Sequence, residues 1–267
     1  MIEIAPAFQP LFQELGLTSV AAVTQFFAGE PLPDEEKVIV KPQTLRPRTG
    51  GAVAVFYKRY HYPTPAWSFV GRRSKARCEF VNYAALQQLG IRTPAAVACG
   101  EERDRIGRLR CAFIITTAVP EGLGLIQFLA THCPDRSRSA HRELRIALRE
   151  QLADMTRTIH AAGFFHHDLV WRNILVTWNA PAAPQLWWID CPRGAFVQFG
   201  KERRRWRDLA SLDKSALQYC SRGERLAFVK RYLGKTVLDE EAKTLTRKTA
   251  AYMRERWPDA QPVRFTL

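Results

Sequence analysis

Three stretches in the first sixty residues, 20–27 (VAAVTQFF), 37–45 (KVIVKPQTL) and 52–60 (AVAVFYKRY), are rich in Val, Phe and Tyr and are separated by Gly, Pro and charged residues. Such runs between turn-forming breaks predict three β-strands, and Gly50-Gly51 suits a tight turn before the third. The period changes at 74–89 (SKARCEFVNYAALQQL). There Ala76, Phe80, Tyr83/Ala84 and Leu86 recur at steps of three and four, and Gly90 supplies a stop, which predicts a helix. Thr93-Pro94 breaks the chain, and 110–119 (RCAFIITTAV) reads as a buried strand. After Pro120 the pattern becomes helical, with a short helix over 124–131 and a long one over 141–162. The long helix aligns Leu144, Leu148, Leu152, Met155 and Ile159 on one face and exits at Gly163. Two short strands, 174–178 (ILVTW) and 185–189 (QLWWI), flank a Pro-rich link, and the chain from about Asp208 onward reads as helix. The expected class is α+β in two lobes: a strand-rich N-terminal lobe over 1–119 and a mostly helical C-terminal lobe over 120–267.

With 267 residues, 46% of them hydrophobic and 11% aromatic, the chain can bury a substantial core. No apolar run approaches the roughly 18–20 residues of a membrane-spanning helix, and the first residues, MIEIAPAFQPLFQEL, lack the basic start and apolar stretch of a secretory signal. Six scattered cysteines show no C-x-x-C pair and no metal-ligand spacing, so reduced thiols in a cytoplasmic protein are expected. Forty Lys plus Arg against 26 Asp plus Glu give a net charge of +14. This excess favours an anionic partner, such as phosphate, nucleic acid or an acidic membrane face. The basic residues gather at 72–77 (RRSKAR), at spaced arginines over 136–149, and at 201–207 (KERRRWR).

The candidate chemistry lies in 166–176, HHDLVWRNILV, between the long helix and a strand. A carboxylate, Asp168, is followed five residues later by Asn173 and then by an apolar strand. This is the H-x-D-x-x-x-x-N arrangement of a kinase catalytic loop. Its spacing lets the Asp reach an acceptor hydroxyl while the Asn turns back toward a metal ion on the phosphates. Asp190 ends the next strand and supplies the second metal ligand. It stands in Asp190-Cys191-Pro192, where protein kinases have D-F-G. Lys58, at the end of AVAVFYK, resembles the phosphate-binding lysine of V-A-I-K, and Glu79 on the following helix is its expected ion-pair partner. No G-x-G-x-x-G precedes Lys58; Gly29 is the lone glycine between the first two stretches. Each residue alone fits an ordinary surface or turn position. Their order, and the kind of element each occupies, give the set its weight.

Further residues make the chain resemble the lipopolysaccharide core kinases of the Kdo/WaaP type over roughly 50–215. They are Phe113-Ile114-Ile115-Thr116, His160-Ala161-Ala162-Gly163, His166-x-Asp168, Ile189-Asp190-x-x-Arg193 and Arg204-Arg205-Trp206-Arg207-Asp208. The last stretch is the most specific, because general protein kinases do not carry it. The resemblance implies a protein-kinase-like fold, ATP with Mg2+, and transfer of the γ-phosphoryl group to a hydroxyl of an inner-core sugar. ATP would lie between the lobes, its adenine against Ile115, Thr117 and Val119. Lys58 would neutralise its phosphates, Asn173 and Asp190 would hold the metal, and Asp168 would accept the acceptor's proton. His166 and Asp208 would support the loop, and Arg172 and Arg193 are candidate substrate contacts. The arginine-tryptophan stretch favours heptose as the acceptor sugar, whereas Asn173 is compatible with heptose or Kdo. The lipid-linked acceptor and the +14 charge imply peripheral association with the cytoplasmic face of an anionic inner membrane. Competing readings are another small-molecule phosphotransferase, a pseudokinase, and an anion- or nucleic-acid-binding protein. The basic charge argues against a cationic acceptor, the intact set of catalytic residues argues against a dead enzyme, and no nucleic-acid motif appears.

Overall fold

A computed structural model describes residues 1–28, 38–48 and 50–259. Gly29 lies outside them. The chain divides into two compact units, one formed by 1–87 and 93–119, the other by 88–92 and 120–267.

The first unit contains β1 (Ile2–Ile4), α1 (Gln9–Glu14), α2 (Val20–Ala28), β2 (Val38–Leu45), β3 (Val53–Ala66), α3 (Lys75–Gln88), β4 (Ala96–Arg103) and β5 (Leu109–Thr117). The strands form one antiparallel sheet in the order β1-β4-β5-β3-β2. Strand alternation sorts β3 into two faces. Val55 and Tyr57 join the core built with Phe12, Val23, Phe27 and Phe113, while Lys58 and Tyr60 point to the opposite face and reach α3.

The stretch 20–27 is helical, not a strand. Its apolar side chains Val20, Val23 and Phe27 follow helical spacing, and Val23 and Phe27 are buried in the core. Phe27 stacks on Tyr57 with centroids 4.6 Å apart. Ser19 starts the helix by accepting from the Ala22 N–H at 3.1 Å. Val, Thr and Phe suit a strand or a buried helix, and tertiary packing decides between them. The sheet is instead completed by β4 and by β1 at its edge, two strands that the hydrophobic pattern did not single out.

The second unit contains β6 (Leu123–Gly124), α4 (Leu125–His132), α5 (Ser139–Ala161), β7 (Phe164–Phe165), β8 (Ile174–Thr177), β9 (Gln185–Trp188), β10 (Ala195–Phe196), α6 (Lys201–Tyr219), α7 (Arg222–Leu233) and α8 (Glu240–Arg256). The long helix and the 174–178 and 185–189 strands fall where the sequence put them. Strands β6, β8 and β9 form a small sheet, and β7 pairs with β10. Leu148, Leu152, Met155 and Ile159 of α5 are buried. The Ala153, Leu209, Tyr232 and Leu245 side chains of α5, α6, α7 and α8 make a shared core. Helix α7 begins with a capping box, Ser221 with Glu224, and ends on Gly234 in the left-handed conformation. Asp239 caps α8 through the Ala242 N–H.

Candidate active site

In the sheet unit, period-two alternation on β3 sends Lys58 and Tyr60 to one face, and both meet Glu79, on the second turn of α3. Lys58 Nζ lies 3.0 Å from Glu79 Oε2. The Tyr60 hydroxyl donates to the same oxygen at 3.2 Å, and the Tyr83 hydroxyl donates to Oε1 at 2.9 Å. Glu79 is only 2% exposed, so its charge needs this set of donors. The predicted Lys58–Glu79 pair is therefore formed. On β5 the Ile115 side chain is fully buried in the core. Thr117 and Val119 are partly exposed. Thr117 Oγ1 accepts from the Ala95 N–H at 3.0 Å.

In the helical unit, α5 stops at Gly163. This residue has φ +77°, and a Cβ there would sit 3.3 Å from the Val197 carbonyl oxygen. The His-Ala-Ala-Gly stretch is thus a helix end whose final residue must be small and left-handed. The chain then enters the 166–173 loop. His166 and His167 donate their backbone N–H groups to Asp208 on α6, at 2.7 and 2.8 Å. Asp208 has no exposed surface, and it takes a third contact from His160 Nε2 at 3.4 Å. Burial alone would raise the Asp208 carboxyl; the hydrogen bond from His160 and the surrounding histidines outweigh it and hold the group below the usual carboxylate range.

The bracing lets the loop hold an unusual backbone. His167 has φ +65° and Asp190 φ +58°, a region that costs non-glycine residues of order 1–3 kcal/mol. His167 is held from three sides: its amide by Asp208, Nδ1 by the Arg193 carbonyl at 2.9 Å, and Nε2 by Arg204 at 3.1 Å. Arg204 can only donate, so Nε2 accepts and the proton sits on Nδ1. Burial pushes the His167 ring down from its ordinary value, and it does the same to His166. The His166 ring is fully buried, packs edge-on against Trp188 at 5.8 Å, and makes no hydrogen bond through either nitrogen among the described residues. It supports the loop as a neutral packing plate.

Asn173 is buried and donates from Nδ2 to the Asp168 carbonyl at 2.9 Å. The bond fixes which way the amide faces and leaves Oδ1 as the atom available to a cation. The Ile189 N–H donates to the Asn173 carbonyl at 3.0 Å, beside the Ile174–Trp188 pairing of β8 and β9. Asn173 and Asp190 therefore share one end of this hairpin. An amide oxygen and a carboxylate are hard oxygen donors of the kind Mg2+ takes when phosphates complete its shell, so the residues present fit that metal. The Asp168 side chain is 29% exposed, and Arg172, itself 73% exposed, places Nη2 3.7 Å from its Oδ2. Arg193 is exposed, and its carbonyl serves His167.

The profile described as the lipopolysaccharide kinase (Kdo/WaaP) family matches residues 59–233, well over half of the sequence. The chain belongs to this family. Membership implies a phosphotransferase of lipopolysaccharide biosynthesis that uses ATP. A solved structure, WaaP in complex with acyl carrier protein, superimposes with a TM-score of 0.67 at 24% identity, over 94% of this chain and 99% of that one. The likeness shows the same protein-kinase-like fold. No curated protein matches the sequence.

Within this Kdo/WaaP chain, the arginine-rich stretch proves to be largely internal bracing. Arg204 holds His167, Arg205 Nε donates to the Tyr232 hydroxyl at 2.7 Å, and Asp208 holds the loop amides. Lys201 and Arg203 remain exposed. Likewise Arg145, from the spaced arginines of α5, is buried and bonds Glu224 at 2.6 Å and the Tyr219 carbonyl at 2.7 Å. Sequence reasoning did not single out Tyr232 or the Arg145–Glu224 pair. Their partners lie 72 and 79 residues away, and no local spacing records such a contact. The helical unit also has a partly open cavity of about 580 Å³ among Leu125, Leu148, Leu212, Phe228, Tyr232 and Leu245, with Arg145 and Glu224 in its wall.

Proposed function

We propose that this protein transfers the γ-phosphoryl group of ATP to a hydroxyl of an inner-core lipopolysaccharide sugar, with heptose as the acceptor. One observation carries the reading: a buried carboxylate, Asp208, grips two successive loop amides immediately before Asp168. That arrangement has a purpose if the next side chain must be aimed. Asp168 orients the acceptor hydroxyl and takes its proton. Lys58, held by Glu79, neutralises ATP phosphate oxygens. Asn173 and Asp190 would hold Mg2+, which would supply positive charge against the phosphates of ATP. Catalysis of this kind is mostly positioning and charge stabilisation. Thr117 and Val119 line the adenine, Ile115 serves from the core behind them, and Arg172 and Arg193 meet the anionic acceptor.

The test is phosphate transfer to purified core lipopolysaccharide. Asp168→Ala should lower turnover by at least about 10²–10⁴-fold with the melting temperature unchanged; wild-type turnover in that variant would remove Asp168 from the chemistry. Mass spectrometry of the product assigns the sugar, and phosphate on Kdo would replace heptose in the reading. The +14 charge, together with exposed Phe196 (59%) and Phe199 (86%) beside Arg193, Lys201 and Arg203, supports peripheral binding to the anionic cytoplasmic face of the membrane. That binding should weaken as salt rises.

A partner reading is favoured by the cavity. Its volume and mostly apolar walls suit a hydrocarbon chain, and the WaaP of the solved structure was in complex with acyl carrier protein. A thermal shift with acylated but not unacylated carrier protein would support the same partnership here.

A further inference from the structure

One side chain lies both in the wall of the apolar cavity and among the groups that brace the 166–173 loop. Tyr232, on α7, lines the cavity with its ring, while its hydroxyl lies 2.8 Å from His160 Nδ1 and accepts from Arg205 Nε at 2.7 Å. One arrangement leaves none of these protons without a partner. Arg205 has no acceptor atom, so the Tyr232 oxygen accepts from it and its own proton goes to His160 Nδ1. A neutral His160 then carries its proton on Nε2, the nitrogen that faces Asp208 Oδ2 at 3.4 Å. Asp208 in turn receives the His166 and His167 amides. In this arrangement the donors run Arg205 to Tyr232 to His160 to Asp208, and the two amides that Asp208 holds immediately precede Asp168. Burial pushes the Tyr232 hydroxyl up to about 12, so it keeps the proton it donates. The His160 ring is further clamped, stacked on Phe165 at 4.9 Å and edge-on to Tyr232 at 5.7 Å. Packed rings thus link Tyr232 to His160 and Phe165.

We propose that Tyr232 is a positioning residue through which the apolar cavity acts on the catalytic loop. Its hydroxyl fixes the His160 tautomer that braces Asp208, and a hydrocarbon chain in the cavity touches the same ring. The kinetic part of this inference rests on the kinase reading above; the structural part does not.

Amide hydrogen exchange and kinetics on the full chain test the two parts separately. In Tyr232→Phe, the His166 and His167 amides should exchange about tenfold faster, while amides in β3 and β5 stay at wild-type rates. Expressed per folded molecule, kcat should fall about tenfold with KM for ATP within twofold of wild type; a merely destabilised protein would lose folded fraction and keep its kcat per folded molecule. His160→Gln, which keeps a donor near the Nε2 position, should retain more activity than His160→Leu. Dodecanoate is the probe for the cavity. It should change exchange at His166 and His167 in wild type and leave them unchanged in Tyr232→Phe. Wild-type exchange and kcat in Tyr232→Phe would overturn the positioning role. Failure of dodecanoate to bind, or binding that leaves these amides unaltered, would overturn the link to the cavity. Altered exchange in a protein with no kinase activity on any core sugar would keep the relay and remove the kinase reading.

Discussion

Each unit buries one carboxylate at its functional centre, and the two are held in opposite ways. Glu79, in the sheet unit, accepts from the side chains of Lys58, Tyr60 and Tyr83. Asp208, in the helical unit, accepts from two backbone amides and from His160. The first fixes the position of one lysine on a strand that the sheet already makes rigid. The second fixes the path of a loop that has no ladder of its own and contains a left-handed His167. A carboxylate bonded to side chains tunes a group, whereas one bonded to the backbone shapes it.

The largest test of this contrast is Asp208→Ala. Two buried amides and His160 lose their acceptor, and each orphaned buried donor costs about 1–3 kcal/mol. Melting temperature and activity should fall together, with turnover down at least about 10²-fold. A stable, active Asp208→Ala protein would show that the loop holds its own shape.

Glu79→Gln should act differently. The amide keeps one oxygen and can still accept from one of the two tyrosines, so calorimetry should show a smaller loss, about 1–2 kcal/mol. The affected quantity should be phosphate-dependent, with KM for ATP raised or kcat lowered about 10–10²-fold. Equal stability losses in the two variants would erase the distinction.

Acid sharpens it further. His166 and His167 are depressed in the folded state by burial. The unfolded chain therefore binds more protons than the folded one below about pH 6.5. The stability they contribute is fully present above that pH and is lost as pH falls toward their folded values. Asp208 and Glu224 are also depressed: burial opposes this, and hydrogen bonds from His160 and Arg145 respectively outweigh it. Their contribution is present above about pH 4 and is lost as pH drops through their lower folded values. Melting temperature should thus decline in two stages on acidification, with the helical unit failing first. His166→Leu, which removes two unsatisfied nitrogens, should cost under about 1.5 kcal/mol at pH 7.5 and flatten the first stage. The smallest effect belongs to Tyr83→Phe. Loss of this donor to Glu79 should cost about 1 kcal/mol and leave kcat within a few-fold of wild type.

How much was legible followed from distance along the chain. Asp168 and Asn173 are five residues apart on one loop, and Asp190 follows at the end of the next hairpin, so their spacing is written locally. Lys58 and Glu79 are joined by one strand-to-helix connection. The helix over 20–28 was misread because Val, Thr and Phe fill a strand or a buried helical face equally well. Only the sheet surface presented by Tyr57 and its neighbours distinguishes the two. The arginine-rich stretch was legible as a signature but not in its physical role, since its partners His167 and Tyr232 come from elsewhere in the chain.

By itself the sequence determined the α+β class, the long helix and its stop, the 166–173 loop between helix and strand, and the family. Those follow from short-range periodicity, turn chemistry and fixed spacings. Tertiary structure alone decided that Asp208 grips amides 41 and 42 residues away, that Tyr232 reaches His160 across 72 residues, and that the arginines serve as braces. The physical reason is that a buried polar group must find partners wherever packing brings them, and packing joins residues without regard to their separation in the chain.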